Sequence, residues 1–134
     1  MTAQLLDDVD ACVEAVLSKV GKRLVLGTPL GIGKPNHLLN AFFRRAERDS
    51  SIQLKIITAL SLERPVGHSE LERRFLEPFA ARVWGDYPEL AYMQALRRRR
   101  WPSNVELSEF YFKSGSMLGV MPAQQEYLSS WQQA

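Results

Sequence analysis

Residues 23–60 read RLVLGTPLGIGKPNHLLNAFFRRAERDSSIQLKIITAL, and this stretch decides the fold class. The short apolar run at residues 23–27 predicts a strand, and the β-branched run at residues 52–60 predicts a second strand. Between them, Pro35 suits the first position of an amphipathic helix. A strand, a crossover helix and a second strand form a right-handed parallel unit. The sequence therefore predicts an α/β fold with a parallel sheet. The apolar stripe of the helix consists of Leu38, Leu39, Phe42, Phe43 and Ala46.

The loop at residues 27–36 holds three glycines and Lys34 immediately before this helix. Such a loop can bring bare backbone N–H groups close to a negative oxygen, and the helix N-terminus adds a favourable dipole. The loop is not a P-loop, because Gly31 and Gly33 are too close together and no Ser or Thr follows Lys34. It also lacks the third glycine of a dinucleotide fingerprint. Two interpretations stay open: a tight turn, or a loop that binds an anionic or acyl ligand.

Ser61 follows the second predicted strand directly. In open α/β sheets, ligands bind beyond the carboxyl ends of the strands. Gly31, Gly33 and Ser61 are therefore predicted to border one crevice. The alternative is that Ser61 only caps a turn within residues 61–65.

A helix is predicted at residues 4–20, before the first strand. Aspartates lie in its first turns, where the helix dipole favours them, and Gly21 follows as a stop signal. Its apolar residues share one helical face. This face consists of Leu5, Leu6, Val9, Cys12, Val13, Val16, Leu17 and Val20.

Two helices are predicted between the second and third strands. Ser69 and Glu72 match a capping box, and Pro78 is expected to kink or end the helix that follows. Asp86 and Glu89 match a second box, for a helix that continues to about residue 98. The buried side of the first of these helices is expected to contain Leu71, Phe75, Leu76 and Phe79.

The C-terminal part of the sequence predicts a third strand at residues 105–112 and a weak helix at residues 122–132. The alternation of apolar and polar residues shifts phase between Leu107 and Phe110. This shift predicts either a bulge or burial on both faces of the strand.

Composition limits the function classes. The 134-residue chain is predicted to be one domain, residues 1–134, with 46% apolar and 24% charged residues. A net charge of +2 is too weak to indicate nucleic acid or a membrane surface. No run approaches the roughly 20 apolar residues that span a bilayer. The single cysteine, Cys12, excludes an internal disulfide, and acidic residues replace the basic start of a signal peptide. We therefore expect a cytoplasmic protein without nucleic-acid or membrane partners.

Two further patterns have a functional and a structural interpretation. The arginine run at residues 97–100, followed by Trp101, resembles a basic patch with a stacking aromatic. A cation-rich helix C-terminus explains it as well, and we prefer that interpretation. His37 and His68 lie in different segments with no Cys, His or Asp cluster nearby, so the sequence predicts no metal site.

Several long segments, in the right order, resemble the acetyl-CoA hydrolase/transferase family. The match covers nearly the whole chain from Leu24 onward. It is carried by VLGTPLGIGKPN at residues 25–36, TALSLERP at 58–65, FAARVWGDYP at 79–88, SEFYF at 108–112 and AQQ at 123–125. In place of a more polar stretch before the last segment, this chain has GVMP at residues 119–122.

The resemblance implies a fold of two similar α/β halves with the active site between them. This chain resembles the N-terminal part of the first half. Family members are hydrolases or CoA-transferases that act on acetyl-CoA or a similar short acyl-CoA and a small carboxylate, with coenzyme A as a substrate. A glutamate attacks the thioester to give a glutamyl-CoA thioester. That glutamate lies in the second half and matches no residue here.

The resemblance also assigns roles to site residues. Gly31 and Gly33 match the glycine loop beside the acyl group or carboxylate, and Ser61 matches a serine that positions the carboxylate substrate. No catalytic residue is assigned, so the isolated chain is expected to be inactive. The implied partners are an acyl-CoA, a small carboxylate, the missing second half and, in addition, a second copy in a homo-oligomer. The alternative is a non-catalytic binding module that docks a separate second half.

Overall fold

The computed structural model describes residues 4–110. Helices and strands alternate at first, and two helices then precede the last strand. The elements are α1 (Val9–Val20), β1 (Arg23–Gly27), a 3-10 turn (Gly31–Gly33), α2 (Asn36–Arg48), β2 (Gln53–Ala59), α3 (Glu70–Val83), α4 (Ala91–Arg97) and β3 (Val105–Phe110).

The three strands form a parallel sheet in the order β1-β2-β3. Leu54 of β2 pairs with Leu24 on one side and with Val105 on the other, so all three side chains lie on the same face. The predicted α/β fold with a parallel sheet is confirmed. The register between β2 and β3 is continuous from Val105 to Phe110, so the bulge, one of the two alternatives predicted for this strand, is absent from its described part.

One face of the sheet carries the core. Val13 of α1, Phe43 of α2 and Tyr92 of α4 are buried with the sheet residues in one apolar cluster. The opposite face is more open: Val25 of β1 is 66% exposed. On that face Lys55 of β2 forms an ion pair with the exposed Glu106 of β3, with 2.7 Å between nitrogen and oxygen. Helices α1, α2 and α4 therefore lie on a single face; for α2 and α4, which belong to the two crossovers, right-handed connections in one direction require this.

The first helix is shorter than predicted. It begins at Val9, because the carboxylate of Asp8 accepts the backbone N–H of Ala11 at 2.9 Å and so caps the helix. The prediction that Leu5 and Leu6 belong to its apolar face is wrong, since both precede the helix and are exposed. The predicted stop at Gly21 is confirmed by its positive φ of 89°.

Helix α3 has the predicted start but a different end and environment. The capping box of Ser69 and Glu72 is present. The helix continues through Pro78 to Val83, so of the two predicted effects of the proline, a kink or an end, the end does not occur. The proline removes one backbone donor, and the backbone N–H groups beyond it still bond within the helix.

The apolar side of α3 is not buried. Leu71 is 80% exposed and Phe75 is 78% exposed, whereas Ala80 is the buried residue of the helix. The prediction that Leu71, Phe75 and Phe79 face the interior is wrong for the described chain. Helical periodicity shows which residues share a face, and it does not supply a neighbour that covers them.

Helix α4 begins later than predicted, and its cap comes from another helix. The predicted capping box of Asp86 and Glu89 is wrong, because Leu90 is the N-cap residue and provides no side-chain bond. The buried Asn40 of α2 caps the helix instead. Its side chain accepts the N–H of Ala91 at 2.7 Å and donates to the carbonyl of Glu89 at 2.7 Å.

Two predictions lie outside the described residues, namely the helix at residues 122–132 and the end of the third strand beyond Phe110. Among the helices of residues 4–110, none has the length and apolar character needed to cross a bilayer.

Candidate functional site

The glycine loop lies across the carboxyl end of β2. The N–H of Thr28 donates to the carbonyl of Ile57 at 3.0 Å, and the N–H of Gly31 donates to the carbonyl of Leu60 at 3.2 Å. The first bond joins the residue after β1 to β2 itself, and the second joins the 3-10 turn to the segment that leaves β2. The loop and Ser61 are therefore brought to one edge of the sheet.

The buried side chain of Lys34 holds the glycine loop against the end of β2. Its side chain is buried, and its ammonium group donates to the carbonyls of Ala59 and, at 3.0 Å, of Leu60. Leu60 has a left-handed backbone with φ 47°. Burial lowers the pKa of Lys34, and the negative charge of Glu109 acts in the opposite direction.

Ser61 is held by two other elements. Its N–H donates to the Glu109 carboxylate of β3 at 2.6 Å. Its hydroxyl lies 2.5 Å from the phenol oxygen of Tyr92 in α4. Burial raises the pKa of Tyr92 to about 12, so the phenol is neutral at physiological pH.

A buried threonine extends these contacts to the first strand. The hydroxyl of Thr28 donates to the hydroxyl of the buried Thr58 at 2.8 Å, and Thr58 also bonds to Tyr92. The polar groups at the carboxyl ends of β1, β2 and β3 thus form one connected arrangement, called here the carboxyl-edge cluster. Its members are Thr28, Lys34, Thr58, Ser61, Tyr92 and Glu109.

The two predicted loop glycines differ in their environment. Gly31 is buried and has φ 59°, a conformation that disfavours any side chain. Gly33 is exposed, and a Cβ atom added there would lie 3.6 Å from Pro29, an ordinary contact. Because Gly33 meets no internal obstacle, the fold alone does not require a glycine at this position.

The donors of the predicted site are partly used within the protein. The N–H of Gly31 bonds to Leu60, and the N–H of Ser61 bonds to Glu109. Sequence reasoning singled out Gly31, Gly33 and Ser61 but missed Tyr92 and Glu109. Glu109 follows Val105 and Leu107 at a spacing of two residues, and this polar residue at an inward position of the strand was the available signal for the second of these.

A groove lies elsewhere on the molecule. A groove of about 800 Å³ runs along α2 between α1 and the segment that leads into α4. Its lining includes Arg44, Arg48 and Asn40 but none of the predicted site residues. Ligands of open parallel sheets bind at the carboxyl ends of the strands, where the carboxyl-edge cluster lies and this groove does not.

The arginine run lies at the end of α4, where the helix dipole favours cations. Arg97 forms an ion pair with Glu63. The N–H groups of Arg99 and Arg100 bond to the carbonyls of Leu96 and Ala95, which is the Schellman pattern of a helix C-terminus.

Metal-ligating side chains do not cluster in the described chain. Within residues 4–110, no group of three or more His, Cys, Asp or Glu side chains is arranged to hold a metal ion. His37 is exposed in the first turn of α2.

Comparisons with known proteins give no match: no protein-family model, no curated protein and no solved structure matches this chain. The family resemblance of the sequence segments therefore remains a prediction.

Proposed function

We propose that this chain is the N-terminal part of a cytoplasmic acyl-CoA hydrolase or CoA-transferase with a CoA-transferase-like fold. Its substrates are acetyl-CoA or a similar short acyl-CoA, together with a small carboxylate. The observation that supports the proposal is that the glycine loop and Ser61 lie together at the carboxyl edge. Gly31 and Lys34 of the loop donate hydrogen bonds to the backbone carbonyls immediately before Ser61. These residues are far apart in sequence and belong to the segments that resemble the family.

The carboxyl-edge cluster has the chemistry to hold an acyl group. Attack on a thioester carbonyl creates an oxyanion, and preorganised N–H and hydroxyl donors stabilise that charge. The exposed Gly33 carries no Cβ that would keep a ligand away from the loop backbone, the Ser61 hydroxyl is a suitable donor, and Lys34 adds positive charge near the strand end. In this proposal the attacking glutamate comes from the second half, outside this chain.

Calorimetric titration with acetyl-CoA, CoA and acetate tests the proposal. We expect saturable binding to the folded chain that weakens in Gly33→Val and in Ser61→Ala. Ser103→Ala is the matched control, because Ser103 is exposed just before β3, at the opposite edge of the sheet. Absence of binding by a folded chain, or equal weakening by the control, contradicts the proposal.

Catalysis provides a separate test. The isolated chain is expected not to cleave acetyl-CoA, because it lacks the nucleophilic glutamate. Thioester cleavage by the purified chain above that of Ser61→Ala would show that the chain carries its own nucleophile, and the assignment of that role to a second half would then be wrong.

A second candidate function is a non-catalytic module that docks a separately encoded second half. The exposed apolar side of α3 favours it, since Leu71 and Phe75 have no cover in residues 4–110. A well-folded chain that binds none of the three ligands in the titration favours this candidate over the first.

A further inference from the structure

We propose that Glu109 occupies the carboxylate position of the carboxyl-edge cluster, so that a ligand carboxylate binds only by displacing it. This inference rests on the proposed function, because it concerns the same site. It assigns to Glu109 the control of whether a ligand carboxylate can enter the site. It also predicts in which direction the affinity for that ligand changes when the charge of Glu109 is removed.

The position of Glu109 follows from the strand register. Glu109 pairs with Thr58 across the parallel β2–β3 ladder, near the carboxyl end of both strands. Its carboxylate oxygen accepts the N–H of Ser61 at 2.6 Å, a short distance for a hydrogen bond from a backbone nitrogen. The protein thus presents one of its own carboxylates to the residue predicted to position a substrate carboxylate.

The surroundings of Glu109 are those that a bound carboxylate needs. The positive charge of Lys34 is close enough to interact with Glu109, and the Ser61 hydroxyl next to it is held by Tyr92. A second carboxylate in the same place would meet the negative charge of Glu109 at short range, in partly desolvated surroundings where charges interact strongly. Wild-type affinity for a small carboxylate is therefore expected to be low while Glu109 remains in place.

A simpler role for Glu109 is to hold the turn at Ser61. The two roles are separable, because Glu109→Gln keeps an oxygen that accepts the Ser61 N–H and removes only the charge. A purely structural role predicts unchanged ligand affinity in this variant. If Glu109 instead occupies the carboxylate position, Glu109→Gln should bind anions more tightly than the wild-type chain.

The test is calorimetric titration of acetate and of neutral acetamide into the wild-type chain, Glu109→Gln and Glu106→Gln. Glu106 is the matched control, since it lies on the same strand, faces the opposite side of the sheet and changes net charge equally. We expect acetate to bind Glu109→Gln about tenfold more tightly than wild type, and Glu106→Gln to stay within about twofold of wild type. Acetamide affinity should not rise, and the gain for acetate should disappear in the double variant Glu109→Gln with Ser61→Ala.

The outcomes separate this inference from the function on which it rests. Acetate or acetyl-CoA binding that depends on Ser61 but is equal or weaker in Glu109→Gln overturns the displacement role and leaves the proposed function standing. An equal gain in Glu106→Gln also overturns it, because the effect is then one of net charge. No binding of acetate or acetyl-CoA to any folded variant overturns both.

Discussion

Backbone strain is concentrated at two residues in the described chain. Within residues 4–110, Leu60 with φ 47° and Arg99 with φ 54° are the residues other than glycine with a left-handed backbone. This conformation costs an ordinary side chain roughly 1–2 kcal/mol. At Leu60 the strain turns a carbonyl toward Lys34, whereas at Arg99 it only closes the Schellman end of α4.

Arg99→Gly should therefore stabilise the protein. Relief of the left-handed strain outweighs the extra flexibility that glycine gives the unfolded chain, for a net gain of about 0.5–1 kcal/mol in the free energy of unfolding. Urea denaturation measures this gain. Arg98→Gly is the matched control, because Arg98 has an ordinary helical backbone and should lose stability instead. A destabilised Arg99→Gly would show that the arginine side chain contributes more than its strain costs.

Asp49 predicts an acid-sensitive stability. Bonds from the hydroxyl and N–H of Ser51, followed by a bond from the Lys22 ammonium, hold the pKa of Asp49 below its ordinary value of 3.8. A lowered folded-state pKa means that the stabilisation is complete above the unfolded value and is lost as pH falls below about 4. The thermal midpoint should drop from neutral pH to about pH 3, and this drop should be shallower in Asp49→Asn. Equal slopes in the two proteins would contradict the prediction.

The sequence was informative about Ser61 and silent about its partners. A serine directly after a parallel strand can be placed at the carboxyl edge of the sheet from local pattern alone, and the structure puts Ser61 at that edge. Tyr92 and Glu109 lie 31 and 48 residues further along the chain. Their contacts depend on how α4 and β3 pack against the rest, which no local pattern records.

At the scale of elements, a side chain of α2 caps the N-terminus of α4. The side chain of Asn40 in α2 is buried and bonds to both the N–H of Ala91 and the carbonyl of Glu89. The start of α4 was predicted too early because this cap comes from 51 residues away in the chain. A capping motif in the sequence indicates only a cap that is formed by residues adjacent to the helix itself.

Asn40→Ala tests this link. The substitution leaves a buried N–H and a carbonyl without partners, which should cost about 1–3 kcal/mol of the free energy of unfolding. His37→Ala is the control on the same helix, since His37 is exposed and should change stability by less than about 0.5 kcal/mol. Urea denaturation measures both. A neutral Asn40→Ala would mean that water replaces the amide.

The contrast between the exposed apolar side of α3 and the buried core gives a second prediction at this scale. Phe43→Ala in the core should cost about 3–5 kcal/mol, because Phe43 is fully buried. Phe75→Ala should change the free energy of unfolding by less than about 0.5 kcal/mol, since Phe75 is 78% exposed. Urea denaturation of both variants checks the contrast. A large loss in Phe75→Ala would mean that this side chain is covered in solution.

For the whole molecule, stability should be unevenly distributed. Strand β2 is hydrogen-bonded to a neighbour on each side, whereas α3 buries little of its apolar face. Amides of Glu70–Val83 should therefore exchange with deuterated solvent at least about a hundredfold faster than those of Gln53–Ala59. Hydrogen exchange followed by mass spectrometry measures this ratio. Equal protection of the two elements would show that α3 unfolds only with the rest.

The order of strands in the sheet is the order in which a ribosome makes them. Once Ala59 has emerged, β1, α2 and β2 are all present, so the first parallel pair can close before Val105 is synthesised. The third strand then adds to an edge that already exists, and no earlier pairing has to be undone. Each step joins the newest strand to the one before it, which keeps the unpaired edge of β2 exposed only during the translation of about 45 residues at 5–20 residues per second.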